Sequence, residues 1–253
     1  QTITNLTKEQ IIKICDRKFI GCDQLILIKK NDISDASLEF YNSDGGMSGA
    51  CGNGTRCIAD LLGKENNKKE IVLTTLSGKL KSNIVGEKIV STEIGVAKTK
   101  WDEIPLSKEL NTNNLGIKIK DRNNNEFSGG TAVNVGNPHV VFFVDNNENF
   151  EIEKIGPKIE THSLFPEKCN VTLATVVNKE LIKVRVWERG AGLTKACGTA
   201  ACATAFAAKQ NGLVNDKVDI EFSTGRLTIS IDENNSIHMK GPVSDIEEIN
   251  FKI

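Results

Sequence analysis

Two cysteines in this chain stand directly before glycine in closely similar settings. One is in Ser48-Gly-Ala-Cys51-Gly-Asn-Gly-Thr-Arg-Cys57, the other in Lys195-Ala-Cys197-Gly-Thr-Ala-Ala-Cys202. In both, the residues beyond the glycine read as the opening of a helix. The first N–H groups of a helix lack intrahelical partners, and its macrodipole favours negative charge there. A thiol so placed is expected to be acidified, with thiolate accessible near neutral pH. The glycines let the backbone approach a ligand closely, so free N–H groups can hold a carboxylate. One such turn fits a nucleophile or an anion site. Two, in matching places of two similar halves, predict a single cleft with a thiol on each wall.

Inversion of a carbon centre uses two unjoined thiols in this way. A thiolate on one face removes a proton while a thiol on the other delivers one, and the roles exchange in the reverse direction. Matched groups suit that task, because acid and base work best with pKa values near the operating pH. Taken singly, Cys51 or Cys197 is as readily a small packing residue. The pairing favours chemistry. Cys15, Cys22, Cys57, Cys169 and Cys202 read as core or neutral positions. No C-x-x-C pair exists and His139, His162 and His238 are scattered, so no metal site is expected.

These turns need elements to position them. Thr7-Lys-Glu-Gln10 is a capping box, and Ile11, Ile12, Ile14 and Cys15 follow with helical spacing, which predicts a helix over 7–18. Strands are expected at 25–29 and 37–42, then a helix over 55–62 ending near Gly63. Strands follow at 71–76, 80–85 and 89–94. The second half repeats this order. Strands are expected at 131–135 and 140–144, a helix near 151–162, and strands at 171–177 and 181–187. An Ala-rich helix over 199–210 precedes strands at 218–223, 227–231 and 236–240. The Asn-rich stretch 111–126 reads as a loop. The period is about half the chain, too long for a solenoid, and the expected architecture is two similar α+β domains.

The whole composition narrows the function classes. Of 253 residues, 32 are basic and 33 acidic, giving a formal net charge of -1 and no global attraction to nucleic acid or an anionic membrane. No apolar run is long enough to span a bilayer. The opening residues show no secretion-signal pattern. Seven cysteines, mostly in apolar or glycine-rich surroundings, fit a reducing cytoplasm.

Six stretches occur in an order that resembles the diaminopimelate epimerase family. They are Asn42-Ser-Asp-Gly45, Cys51-Gly-Asn-Gly-Thr-Arg-Cys57, Gly136-Asn-Pro-His139, Phe165-Pro-Glu-Lys-Cys-Asn170, Trp187-Glu-Arg-Gly-Ala-Gly192 and Ala196-Cys-Gly-Thr199. The resemblance implies a cofactor-independent isomerase that interconverts LL- and meso-2,6-diaminopimelate, toward lysine and peptidoglycan. It implies two domains, each a β-barrel-like sheet around a central helix, with boundaries at 1–97 and 98–241. The segment 242–253 would complete the first. A cytoplasmic homodimer without metal, nucleic acid or membrane partner is also implied.

By motif match, Cys51 and Cys197 take the catalytic positions, and His139 and Glu188 those that tune the thiols. Substrate contacts carry over to Gln24, Asn42, Gly52, Asn53, Asn137, Asn170, Glu188, Arg189, Gly198 and Thr199. The chemistry of these types is compatible, since Arg189 can grip a carboxylate bidentately and Asn can serve either an ammonium or a carboxylate. Without the resemblance, Asn42 and Asn137 are equally well turn residues, Glu188 and Arg189 a solvated pair, and His139 a core histidine.

The chain departs from the family pattern in three places. The resemblance places a Gly-rich strand with a substrate-touching Asn ahead of Gln1. Ala200 stands where glycine is usual, which is tolerable if that residue is already helical. The Phe19-Ile-Gly21 loop is shorter than usual, which could shift Gln24. The runner-up is a proline racemase-like enzyme with the same two-thiol logic. A phenazine-type isomerase lacks the paired cysteines. A Cys-His hydrolase leaves the second thiol without a purpose, and an anion-binding module needs neither thiol.

Overall fold

The computed structural model describes residues 5–49 and 51–252; residues 1–4, Ala50 and Ile253 lie outside it. Its contacts divide the chain into two units. One runs to Glu93 and takes in the segment from Pro242 on; the other is Ile94–Gly241.

The first unit opens with helix α1 (Lys8–Cys15) and strands β1 (Gln24–Lys29), β2 (Ala36–Asn42) and β3 (Met47–Ser48). Helix α2 (Gly52–Asn66) follows, then β4 (Glu70–Thr75), β5 (Gly78–Gly86) and β6 (Ile89–Val96). Both halves of the capping box form on α1: Thr7 Oγ1 accepts from Gln10 N at 3.3 Å, and Gln10 Oε1 accepts from Thr7 N at 2.9 Å. The helix stops earlier than its apolar spacing predicts. Asp16 turns extended and its carboxylate accepts from Lys18 N, diverting the chain from a further turn.

In the second unit, β7 (Ile117–Lys120) and β8 (Glu126–Gly129) form a separate hairpin. They are followed by β9 (Thr131–Asn134), β10 (Pro138–Phe143), helix α3 (Ile152–Glu160), β11 (Asn170–Asn178), β12 (Leu181–Glu188) and β13 (Gly192–Thr194). Helix α4 (Gly198–Gln210) leads to β14 (Lys217–Phe222), β15 (Gly225–Ile231) and β16 (Ser236–Pro242). The β7–β8 hairpin corrects the expected loop over 111–126. Ile117 and Ile119 alternate with lysines and bury against Phe142, Val144 and Phe150, and that period-2 signal outweighs the Asn content around it.

The two units share one topology. In the first, β1 is antiparallel to β2, β3 folds back on β2, α2 crosses over, and β4 lies parallel to β2 before the β4–β5–β6 meander. In the second, β11, β12, β13, α4, β14, β15 and β16 repeat that order with the same directions. Each mixed sheet covers its helix. Helix α4 is buried almost all round, from Gly198 to Ala208, and its many alanines let strands pack closely on it. Ala200 is helical there and fully buried.

Helix α2 also begins and ends outside the expected range. It starts at Gly52 and runs past Gly63 to a left-handed Asn67 cap, whose N–H returns to Gly63 O. Gly63 is a packing glycine, not a stop. A Cβ there would lie 2.8 Å from Lys68 O and 2.1 Å from Ile84 Cδ1.

A second close approach ties α3 to the sheet. A Cβ on Gly156 would fall 2.3 Å from Trp187 Cγ and 2.7 Å from its Cβ, near the root of the ring, where it has little room to yield. Gly156→Ala should therefore destabilise the fold by about 1–3 kcal/mol through overpacking. Guanidinium denaturation checks this; an unchanged midpoint would refute the contact.

Candidate active site

In the first unit the candidate residues converge on the end of the β1–β2 pair and the start of α2. Gln24 and Asn42 are register partners, and Gln24 Nε2 donates to Asn42 Oδ1 at 2.9 Å. The shorter Phe19-Ile-Gly21 loop therefore leaves Gln24 paired in the sheet. The turn after Asn42 is closed by Gly45 N donating to Asn42 O and Asn42 N donating to Gly46 O. Nine residues beyond Asn42, Cys51 caps α2, and Gly54 N donates to its Sγ at 3.3 Å.

In the second unit the same positions recur. Asn170 and Glu188 stand in the places of Gln24 and Asn42, since Val171 pairs with Trp187 as Leu25 pairs with Tyr41. Glu188 pairs with Gly192, and nine residues beyond Glu188, Cys197 caps α4. Gly198 and Thr199 follow as Gly52 and Asn53 follow Cys51. Cys197 Sγ lies 3.4 Å from Thr199 Oγ1.

The loop carrying Glu188 and Arg189 is held from three sides. Asn170, buried, accepts from Arg189 N at 3.0 Å and donates to Pro138 O at 3.0 Å, so both ends of its amide are engaged by backbone. Arg189 Nη1 donates to Glu167 O. Glu160, at the end of α3, accepts from Trp187 Nε1 at 2.7 Å and from Gly190 N at 3.1 Å. Asn137 accepts from His139 Nε2 at 2.9 Å. That bond places the ring proton on Nε2, because an amide oxygen only accepts. His139 Nδ1 is buried without a partner among the described residues.

Two contributors went unnoticed in the sequence. Arg56, buried one turn into α2, donates to Asn53 Oδ1 at 3.0 Å and to Gly52 O at 3.5 Å. Its i+3 and i+4 spacing from those residues was the available signal. Glu160 gave none, because its partners are 27 and 30 residues away.

Electrostatics overturn one expectation. Both thiols lie above their ordinary pKa instead of below it. For Cys51, burial pushes upward most, partly offset by the Gly54 N–H and the charge of Arg56. For Cys197, burial again dominates and the Glu188 carboxylate adds to it, against Thr199 and the Ala200 N–H. Desolvation of a thiolate outweighs a helix N-terminus when the sulfur is this enclosed. His139 moves the other way. Burial, aided by Arg189, lowers its pKa to about 3, so the imidazole is neutral at physiological pH.

The profile of the diaminopimelate epimerase family matches residues 1–100 and 131–246. The diaminopimelate epimerase of Pelagibacter ubique (strain HTCC1062) is 70% identical over 98% of this chain and 91% of its own. The chain belongs to the diaminopimelate epimerase family. It is an isomerase. A second diaminopimelate epimerase, from Acidiphilium cryptum, is 40% identical over 93% of this chain and 84% of its own.

Solved structures extend the fold. A predicted epimerase from Pseudomonas aeruginosa superposes with a TM-score of 0.67 at 14% identity, over 94% of this chain and 86% of its own. A hydroxyproline epimerase from Agrobacterium vitis with bound trans-4-OH-L-proline gives 0.63 at 12%, over 92% and 76%. At such identities the likeness concerns architecture alone. Among the described residues no cluster of three metal-ligating side chains occurs, and no helix is long and apolar enough to cross a membrane.

The depressed His139 pKa has a sign. Between about 3 and its ordinary value, the unfolded chain binds a proton that the folded chain does not. His139 therefore costs stability as pH falls through that window, by up to about 1.4 kcal/mol per pH unit, and costs nothing above it. His139→Asn should flatten stability against pH between 4 and 6 in denaturant titrations. Equal slopes for variant and parent would contradict the buried neutral ring.

Proposed function

We propose that this diaminopimelate epimerase interconverts the LL and meso isomers by two-base proton transfer, with Cys51 and Cys197 as the exchanging groups and no cofactor. The observation that carries this reading is the equivalence of the two cysteines. Each caps a helix of the same topology, nine residues beyond a polar side chain at the same register position.

Neutral resting thiols fit the reading. A sulfur buried in its protonated form is ready as the acid, and an arriving substrate ammonium brings the positive charge that favours a thiolate. Glu188 beside Cys197 favours its thiol form, while Arg56 beside Cys51 favours the thiolate. N–H groups at Gly52, Asn53, Gly198 and Thr199, at the open ends of the two helices, can stabilise charge developing on the reacting carboxylate. Arg189, exposed on its loop, can hold the distal carboxylate, and Gln24, Asn42, Asn53, Asn137 and Asn170 supply polar contacts to the remaining groups. His139, neutral and hydrogen-bonded to Asn137, fixes that amide. In this reading the enzyme works as a cytoplasmic homodimer toward lysine and the cell wall, which the family resemblance supports.

With LL-diaminopimelate in D2O, deuterium should enter the α-carbon of the inverted centre without added pyridoxal phosphate or metal. Cys51→Ala and Cys197→Ala should each lower kcat by about 10²–10⁴-fold. Full activity in either variant would end the two-base reading. Opposed thiols should also be joined by mild oxidation, so peptide mapping of the oxidised, inactive protein should recover a Cys51–Cys197 linkage. Inactivation without that peptide would count against their opposition.

A further inference from the structure

A second pair of thiols stands apart from those chemically assigned. Helix α1 ends at Cys15, and the chain folds straight back over its last turn. Phe19 N donates to Asp16 O at 2.9 Å, Gly21 N to Ile14 O at 3.1 Å, and Cys22 N to Cys15 O at 3.3 Å. Gly21 makes the reversal possible, with φ +78 and an ideal Cβ position only 3.0 Å from Arg17 Cα. The result sets Cys22 Sγ 3.4 Å from Cys15 Sγ. Both cysteines line a surface cavity of about 350 Å3 together with Ile12, Asp16, Arg17, Asp23 and Ser43. Cys15 is buried and Cys22 half-buried.

We propose that Cys15 and Cys22 form a redox-active dithiol that low-molecular-weight disulfides oxidise, and that its closure displaces Gln24 and weakens substrate binding. The last clause rests on the reading of Gln24 as a substrate contact. The half-buried Cys22 reacts first. Its thiolate attacks one sulfur of the small disulfide, and the other half leaves as a thiolate that takes up a proton. Cys15 Sγ, losing its proton to solvent, then attacks Cys22 Sγ in the mixed disulfide and expels the second small thiol. Two protein thiols are oxidised and one small disulfide is reduced to two thiols.

Burial holds the Cys15 thiol up at about 12, which fits a group that reacts second, at close range. A disulfide is about 2.05 Å long, so the sulfurs must close by about 1.4 Å. Cys15 is anchored in α1, whereas Cys22 lies in irregular chain, so Cys22 takes most of the movement. Gln24, two residues further on, opens β1 and holds Asn42.

The test uses the full chain carrying Cys51→Ser and Cys197→Ser, which removes the reactive thiols of the active site, with wild type mapped in parallel as a folding control. After treatment with oxidised glutathione, peptide mass mapping should find Cys15 linked to Cys22 in both proteins, reversed by dithiothreitol. Calorimetric titration of the double variant with meso-diaminopimelate should show binding about tenfold weaker when oxidised, the loss expected for one polar contact. Adding Cys22→Ser should erase that difference. Absence of the linked peptide, or equal affinity in both redox states, overturns the proposal. If the reduced double variant binds no diaminopimelate while wild-type mapping still finds the linkage, the functional reading fails and the dithiol stands.

Discussion

A sulfur enclosed at the first turn of a helix is pulled two ways. The exposed ends of the N–H groups and the helix dipole favour the thiolate, while loss of water favours the thiol. In both units the loss of water wins. That balance makes the resting state uncharged and hands the decision to whatever charge enters next to the sulfur. A thiol ionised at rest would need a counter-charge strong enough to offset the lost water, and the Arg56 charge beside Cys51 offsets it only in part. The enclosure that raises the pKa is therefore compatible with a reversible donor.

The repeat supplies position and leaves the electrostatics free to differ. Register, turn and helix cap agree between the units, yet the polar pair is Gln24 with Asn42 in one and Asn170 with Glu188 in the other. The charged neighbour of Cys51 is Arg56, and that of Cys197 is Glu188. Their influences have opposite sign. One frame is thus used twice, with charged neighbours that pull the two thiols in opposite directions.

Much of the second unit's construction serves one loop. Glu160 accepts from Trp187 and from Gly190, Asn170 holds the Arg189 backbone, and Gly156 makes room for the Trp187 ring. Buried carboxylate and amide groups are costly unless saturated, and these are saturated by the segment they position. Asn170, placed by motif among the substrate contacts, spends both ends of its amide on backbone and so positions the loop that carries Arg189.

Local chemistry was legible in the residues themselves. The Cys-Gly turns, the capping box, the strand periods and the order of the six motifs all depend on neighbours within a few positions, and they sufficed for the two-fold α+β plan, the paired cysteines and the family. The Ile117–Lys120 strand was as legible, but its asparagine-rich setting masked it. Tertiary structure alone decided the rest. Thiol acidity depends on how much water the fold removes, and that enclosure comes from strands far along the chain. Arg56 and Glu160 matter through burial and distant partners, and Gly63 reads as a stop until Ile84 is seen packed against it. Charge, hydration and close contact are set by what folding brings near, and no short stretch of sequence contains its own surroundings.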